Sequence, residues 1–443
     1  MRIVKGYEEG REALARRPLH EYPLPEEMTQ RLAQVFGRPL SPREAVERIV
    51  ADVRQQGDDA IRHYTQRIDG LTLQSLEVPA EAGAKALARL PRRLRDALEM
   101  AYWRALEYHS ASLPRSWVDF QQGWGEVFVP LERVGIYIPA GTAAYPSTVL
   151  MTVVPAQVAG VGEIILCTPP RPDGPHPSIL AAAALAGVDR VFQVGGAQAI
   201  AGMAFGTQSI PKADMVCGPG NIFVTLAKQV VFGLVGVDGL YGPTETVIIA
   251  DATATPAYVS ADLIAQAEHD PLASPILITP HEPLAQAVQE EIERQMRTLP
   301  RANIARAALE RQGLIILVDG LPEAIDLANF YAPEHLCLAV ADPWRWLDSI
   351  TSAGAVFLGQ WTPETLGDYM AGPSHVMPTG GTARFASALG VRHFLRSMPI
   401  VASTPEQLAA LSTSTTVLAR AEGLEGHARA IEARTQPRRR YRS

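Results

Sequence analysis

The stretch that decides the fold runs from E-I-I-L-C (163–167) through R-V-F-Q-V (190–194) to D-M-V-C-G (214–218), with an Ala-rich segment after Pro177 and another segment from Gly196 between the three. Short apolar runs rich in Val and Ile read as strands, and the longer Ala-rich segments between them read as helices. A helix over 147–159 leads into the first strand. Strands alternating with helices of this length imply a parallel sheet with helices on both faces. A second copy of the alternation starts at E-T-V-I-I-A-D (245–251) and continues through a helix, P-I-L-I-T (275–279), a helix over 281–296, L-I-I-L-V (314–318), a helix to Tyr331, H-L-C-L-A-V (335–340) and A-G-A-V-F-L-G (353–359). The expected fold class is therefore α/β, with two tandem, doubly wound, Rossmann-like modules. Ligands of such sheets sit at the carboxyl ends of the strands, so a site is expected in the loops that follow them.

Outward from that core, E-V-F-V-P (126–130) and R-V-G-I-Y-I-P (133–139) read as two short strands. S-P-R-E-A-V-E-R-I-V-A-D-V-R-Q (41–55) reads as a helix with a cap and a first-turn proline. A further helix is expected over 91–109. Residues 1–30, with Pro18, Pro23 and Pro25, read as an N-terminal arm. The segment 405–434 reads as a long helix too short to be a domain, which must pack on something else, such as another subunit.

A chain of 443 residues with 47% apolar content has material for two large domains. A formal net charge of −7 and a pI near 5.9 argue against a nucleic-acid partner. The basic run Arg438, Arg439, Arg440 and Arg442 reads as a solvated terminus. The acidic N-terminal residues do not read as a signal peptide, and no segment is long and apolar enough to span a bilayer, so the expectation is a cytoplasmic protein with no membrane partner. Cys167, Cys217 and Cys337 are too few and too scattered for a disulfide framework or a cysteine zinc site.

Several loops could carry chemistry. In D-L-I-A-Q-A-E-H-D-P (262–271), Gln266 and His269 stand three residues apart on one helical face, as half of a nitrogen–oxygen metal site or as ordinary surface. Glycine-rich loops occur at 135–142, 194–200 and 217–221. They allow close backbone approach to a ligand, but none is a dinucleotide fingerprint or a P-loop, and tight turns explain them equally. Glu334-His335, just before an apolar strand, could be an acid–base pair or an exposed turn. Asp368 and His375 share one polar loop, and Glu422 and His427 flank a glycine-containing break. Gln266, His269, Asp368 and His427 together would make a mixed donor set with positions left open for substrate.

The motifs R-V-G-I-Y-I-P-A-G, G-G-A-Q-A-I-A, C-G-P-G-N, A-Q-A-E-H-D-P, A-P-E-H-L, G-D-Y-M-A-G-P-S-H-V-M-P-T and A-E-G-L-E-G-H-A-R occur in that order. In these the chain resembles the histidinol dehydrogenase family over nearly its whole length. The resemblance implies a zinc- and NAD-dependent oxidation of L-histidinol through the aldehyde to L-histidine, consuming two NAD, as the last step of histidine biosynthesis. It implies zinc ligands Gln266, His269, Asp368 and His427, and an acid–base pair Glu334 and His335. Thr244, His375 and Glu422 join the ligands and His335 as substrate contacts, and Tyr137, Gln198 and Asn221 line an NAD site. It also implies a homodimer with crossed tails, in which Glu422 and His427 come from the partner.

The implied domains are an arm (1–30), a discontinuous α/β domain with the metal and acid–base residues (31–132 with 245–390), an NAD-binding domain (133–244) and a helical dimerisation tail (391–443). Three positions depart from the family pattern: Thr244 replaces a serine, Ser374 an asparagine and Trp361 a tyrosine. The added methyl of Thr244 narrows the pocket, which raises the alternative of a paralogue acting on another small alcohol, such as a sulfonated diol. Two rivals need no such chemistry: a thiohemiacetal route through Cys217 or Cys337, and a non-catalytic small-molecule binding protein.

Overall fold

The computed structural model describes residues 1–16, 26–140 and 144–435. Pro18, Pro23, Pro25, the Gly141-Thr142 end of the first glycine loop and the basic run 438–442 fall outside them. The chain divides into two compact units, Met1–Ser112 with Leu131–Phe394, and Leu113–Pro130 with Leu395–Ser443.

The first unit does not begin as an arm. Strand β1 (Arg2–Lys5) pairs in parallel with Leu314–Leu317, and α1 (Tyr7–Ala13) follows it. After α2 (Glu26–Phe36) comes α3 (Pro42–Gln56), which starts as expected: the Ser41 side chain and the Glu44 carboxylate form a reciprocal capping box, with proline in the first turn. Then come α4 (Asp58–Tyr64), α5 (Glu81–Arg89) and α6 (Arg92–Ala111). The next two strands, β2 (Trp117–Asp119) and β3 (Trp124–Pro130), belong to the second unit.

Strand β4 (Arg133–Tyr137) opens the first parallel module, followed by α7 (Pro146–Ala159), β5 (Glu163–Cys167), α8 (Pro177–Leu185), β6 (Arg190–Phe192), α9 (Gly196–Phe205), β7 (Met215–Cys217), α10 (Ile222–Val231) and β8 (Gly236–Val237). The sheet order is β6-β5-β4-β7-β8, parallel throughout. The resemblance implies that the helical region from residue 31 to 132 rejoins the second module. Its helices pack on the first instead: Val46, Ile49, Val50 and Val53 of α3 share one buried cluster with Ile165 of β5 and with Ala197, Ile200 and Ala204 of α9. An apolar stripe at i, i+3, i+4 and i+7 needs a facing surface, and α9, apolar on nearly every side, supplies it.

The second module comprises β9 (Glu245–Ala250), α11 (Pro256–Ala267), β10 (Ser274–Thr279), α12 (Glu282–Met296), α13 (Ala302–Arg311), β11 (Leu314–Leu317), α14 (Leu321–Tyr331), β12 (His335–Ala339), β13 (Ala355–Leu358) and α15 (Glu364–Tyr369). Its parallel sheet has the order β1-β11-β10-β9-β12-β13. Strand β9 is buried along its whole length, as expected of a central strand covered on both faces. Helix α13 was not expected from the sequence.

In the second unit, β14 (Leu395–Val401) pairs antiparallel with β3, and β3 with β2. Helices α16 (Pro405–Ala421) and α17 (Glu425–Thr435) replace the single long helix expected, because Gly423 takes φ +77 and turns the chain. This unit buries almost nothing: Phe120, Trp124, Val401, Leu411, Val417 and Leu418 are all exposed.

Candidate active site

The first residues of β9 and β12 lie side by side, with His335 in register with Thr246. Thr244 immediately precedes β9 and Glu334 immediately precedes β12. The candidate residues of this module therefore meet at the amino edge of its sheet, not at the carboxyl edge where the fold class led us to expect them. Helix α11 brings Gln266 back to that edge. It ends at Ala267, so His269 sits in the following turn and not on the helix, its N–H reaching the Gln266 carbonyl at 3.3 Å. Ala332, in the left-handed region at φ +51, turns α14 into Pro333 and Glu334.

A chain of hydrogen bonds links the two strand starts. Gln266 Nε2 donates to Thr244 Oγ1 at 2.8 Å, and Thr244 Oγ1 donates to Glu334 Oε2 at 2.5 Å. The same carboxylate oxygen accepts the Glu245 N–H at 3.1 Å. With its amide nitrogen committed, Gln266 keeps Oε1 as a hard oxygen donor. Burial pushes the Glu334 carboxyl up to about 8 against the opposing pull of these hydrogen bonds, so it is poised near neutrality.

The two histidines have readable tautomers. His335 Nδ1 lies 3.1 Å from the Glu245 carbonyl oxygen, which can only accept, so Nδ1 carries the proton. The lone pair is on Nε2, which is buried without a hydrogen-bond partner, 3.9 Å from Asp368 Oδ1. Likewise His375 Nδ1 donates to the Asp368 carbonyl at 2.8 Å, leaving Nε2 to accept from Thr148 Oγ1 at 3.0 Å. Burial lowers the His375 pKa, in keeping with a neutral ring. His375 thus holds the Asp368 loop.

Two carboxylates escaped sequence reasoning. Glu364, at the start of α15, is buried and accepts a hydrogen bond from Thr246 Oγ1. It stands one helical turn before Asp368, and a Cβ on the intervening Gly367 would come within 2.6 Å of the Phe357 ring. Only glycine lets α15 lie this close, which is how Asp368 reaches His335. The i, i+4 spacing of Glu364 and Asp368 was the available signal. Glu245 is gripped by Arg16, which bonds both carboxylate oxygens and stacks 3.7 Å over the Tyr331 ring. Nothing in the sequence couples positions 16 and 245. A cleft of about 1030 Å³ opens on the Arg16 and Thr379 side of Glu245, so volume alone does not mark this site.

Gln266 Oε1, His269 and Asp368 are the donors this unit offers to a metal, and Asp368 interacts electrostatically with His269. Among the described residues, no group of three or more His, Cys, Asp and Glu side chains is gathered as a metal site. The donor types are ones that zinc accepts. Glu422 closes α16 and His427 lies in the first turn of α17; both are exposed and belong to the second unit.

At the carboxyl edge of the five-stranded sheet, the strand order reverses between β4 and β7, the place where such folds bind ligands. Tyr137 ends β4, is buried, and its hydroxyl accepts the Gly196 N–H at 3.1 Å. Gln198 is buried with Oε1 unpartnered. Asn221 is exposed and caps α10 through its side-chain oxygen.

The family model described as histidinol dehydrogenase matches residues 39–435. The chain belongs to the histidinol dehydrogenase family. Among its relatives, the histidinol dehydrogenase of Synechococcus sp. is 49% identical over 401 residues, covering 89% of this chain and 92% of that one. That of Dehalococcoides mccartyi is 47% identical over 439 residues, covering 98% and 100%. The crystal structure of histidinol dehydrogenase from Elizabethkingia anophelis superposes with a TM-score of 0.90 at 34% identity, covering 98% of each chain. An acetylating aldehyde dehydrogenase from Geobacillus thermoglucosidasius, at TM-score 0.50 and 14% identity over 90% of this chain and 97% of that one, shares the fold alone.

Of the three positions expected to depart from the family pattern, Thr244 carries the hydroxyl that joins Gln266 to Glu334. Ser374 is buried, its hydroxyl accepting the Val376 N–H at 3.1 Å. Trp361 is exposed and packs against the Tyr258 ring at 5.6 Å. All three cysteines are buried, and burial raises each thiol, which argues against the thiohemiacetal route. No helix among the described residues is long and apolar enough to cross a membrane.

Proposed function

We propose that this protein oxidises L-histidinol to L-histidine through L-histidinal, using two NAD, in the cytoplasm as the last step of histidine biosynthesis. The observation that carries the reading is the unpartnered, buried Nε2 of His335, fixed as a proton acceptor by Glu245 and standing beside Asp368 and Glu334. His335 Nε2 takes the alcohol proton as the carbinol carbon gives its hydride to NAD, yielding the aldehyde. Glu334, poised near neutrality, takes a proton from water as the oxygen adds to that aldehyde. The hydrate anion so formed gives a second hydride to a second NAD, leaving the carboxylic acid, which loses its proton to become the carboxylate. The buried pair retains the aldehyde between the two halves of the reaction.

Gln266, His269 and Asp368 would hold zinc with His427 from a second subunit, and the metal, when bound, would orient the substrate and stabilise charge. Support for the crossed arrangement comes from the second unit, whose described residues expose most of their large apolar side chains and so call for a partner surface. Tyr137, Gln198 and Asn221 would line the NAD site at the β4–β7 reversal. A substrate screen with NAD tests the activity. L-Histidinol should reduce two NAD per molecule, and EDTA should abolish turnover; preference for a sulfonated diol, or turnover after metal removal, would overturn the reading.

A further inference from the structure

Lys228 on α10 and Asp238 after β8 form an ion pair at 2.6 Å whose side chains are 1% and 0% exposed. No step of the proposed chemistry uses it. Burying a charge pair this deeply is costly unless every proton and lone pair is matched, and here they are. The ammonium donates to Asp238 Oδ1 at 2.6 Å, to the Gly218 carbonyl at 2.5 Å and to the Gly239 carbonyl at 3.4 Å, and stands 4.8 Å from the centre of the Tyr241 ring. Asp238 Oδ2 accepts the Gly218 N–H at 2.8 Å, and Oδ1 accepts the Gly239 N–H at 2.9 Å. Both backbone polar groups of Gly218 are therefore held by the two members of one pair.

Gly218 is pressed from the other side as well. Its φ is +108, and a Cβ there would lie 2.1 Å from the Tyr137 carbonyl oxygen, so the end of β7 touches the end of β4 at the strand reversal. Three residues later, Asn221 caps α10, and two turns along that helix Lys228 returns to Gly218. The loop 218–221 is thus closed into a ring by the buried charge. Thr225, on the same helix, donates to the Tyr241 carbonyl at 2.7 Å, holding the connector that leads to Thr244.

We propose that Lys228 and Asp238 are positioning residues for the nucleotide: the pair fixes the Gly218–Asn221 loop against Tyr137 and so sets the affinity for the dinucleotide. This rests on the placement of the NAD site given above. A pair that served stability alone would affect the melting temperature and leave ligand affinities intact, so the two roles separate by measurement.

The experiment compares NADH binding by fluorescence, the KM values for NAD and histidinol, and the melting temperature in Lys228→Met, Asp238→Asn and the double variant. NADH affinity and KM for NAD should weaken at least tenfold in each, with KM for histidinol within twofold of the parent. The double variant, which removes the uncompensated charge, should regain much of the melting temperature without regaining NADH affinity. If Lys228→Met fails to fold, Asp238→Asn, which preserves shape, is read in the same way. Folded variants with unchanged NADH affinity, or with NAD and histidinol weakened in equal proportion, would overturn the proposal. Asn221→Ala separates the two levels. Weakened NADH binding in Asn221→Ala alone removes the clamp and keeps the site, whereas no effect in either variant removes the nucleotide site itself.

Discussion

His335 Nδ1 and the Glu245 carbonyl oxygen stand 3.1 Å apart, and this bond decides which imidazole nitrogen can act as a base. Asparagine at 335 can keep a donor toward that carbonyl and cannot accept a proton from substrate. His335→Asn should therefore fold, retain metal and lose about 10²- to 10⁴-fold in histidinol oxidation. Steady-state rates alongside metal analysis check this; a variant within tenfold of the parent would take His335 out of the base role.

Glu334→Gln should discriminate between the half-reactions. The amide can still accept from Thr244 and from the Glu245 N–H, so the strand starts stay in place, while activation of water is lost. Oxidation of supplied histidinal should slow by about 10²-fold or more, with the alcohol step much less affected. Equal slowing of both steps would sink the division of roles.

Thr244 is the link between Gln266 and Glu334, and its hydroxyl both accepts and donates. Thr244→Ser should behave like the parent. Thr244→Val removes the hydroxyl, frees the Gln266 amide to turn, and should weaken zinc by roughly 10- to 100-fold, as loss of an outer-shell partner does elsewhere. Zinc competition with a chelator measures it, and equal affinity in the Ser and Val variants would show that the link does not orient Gln266.

His109 of α6 gives a pH prediction that involves no step of the reaction. It is buried, neither ring nitrogen has a hydrogen-bond partner, and burial lowers its pKa from 6.5 to about 4. A depressed histidine is neutral in the folded chain and takes up its proton only on unfolding. Stability from this residue is present above pH 6.5 and is lost as pH falls from 6.5 toward 4, by at most about 3 kcal/mol. His109→Phe should flatten that part of the profile. Urea midpoints at pH 7 and pH 4.5 that fall equally in parent and variant would refute it.

Mixed dimers test the crossed tail. His335→Ala and His427→Ala should each be inactive alone, yet regain activity when refolded together, because one of the two sites then has both histidines. A mixture that stays inactive despite demonstrated chain exchange would place His427 in its own subunit's site, or in none.

Much of this was legible in the sequence because its signals are local. Val247–Ala250 and Leu314–Leu317 are buried and read as unbroken apolar runs, and Glu334-His335 stands out as an adjacent polar pair before such a run. What escaped depends on pairs distant in sequence. Arg2–Lys5 is four residues with two charged ends, and becomes a strand only beside β11. The stripe on α3 predicts that a partner exists and cannot say which module provides it. The places of Thr244 and Glu334 just before two strands put them at the amino edge; that Gln266 and Asp368 join them there follows from where α11 and α15 return, which no fold-class rule specifies. Arg16 meets Glu245 through tertiary packing alone.

Strand β1 also sets a timetable. Its partner β11 lies more than 300 residues further along the chain. At the roughly 5 to 20 residues per second of ribosomal synthesis, Arg2–Lys5 waits on the order of 15 to 60 s before the strand it pairs with has been made. Throughout that interval Ile3 and Val4 have no sheet to join, and the strand edge that receives them does not exist. The β1 edge of the large sheet therefore closes only once β11 has been made, the longest wait of any strand pair in that sheet.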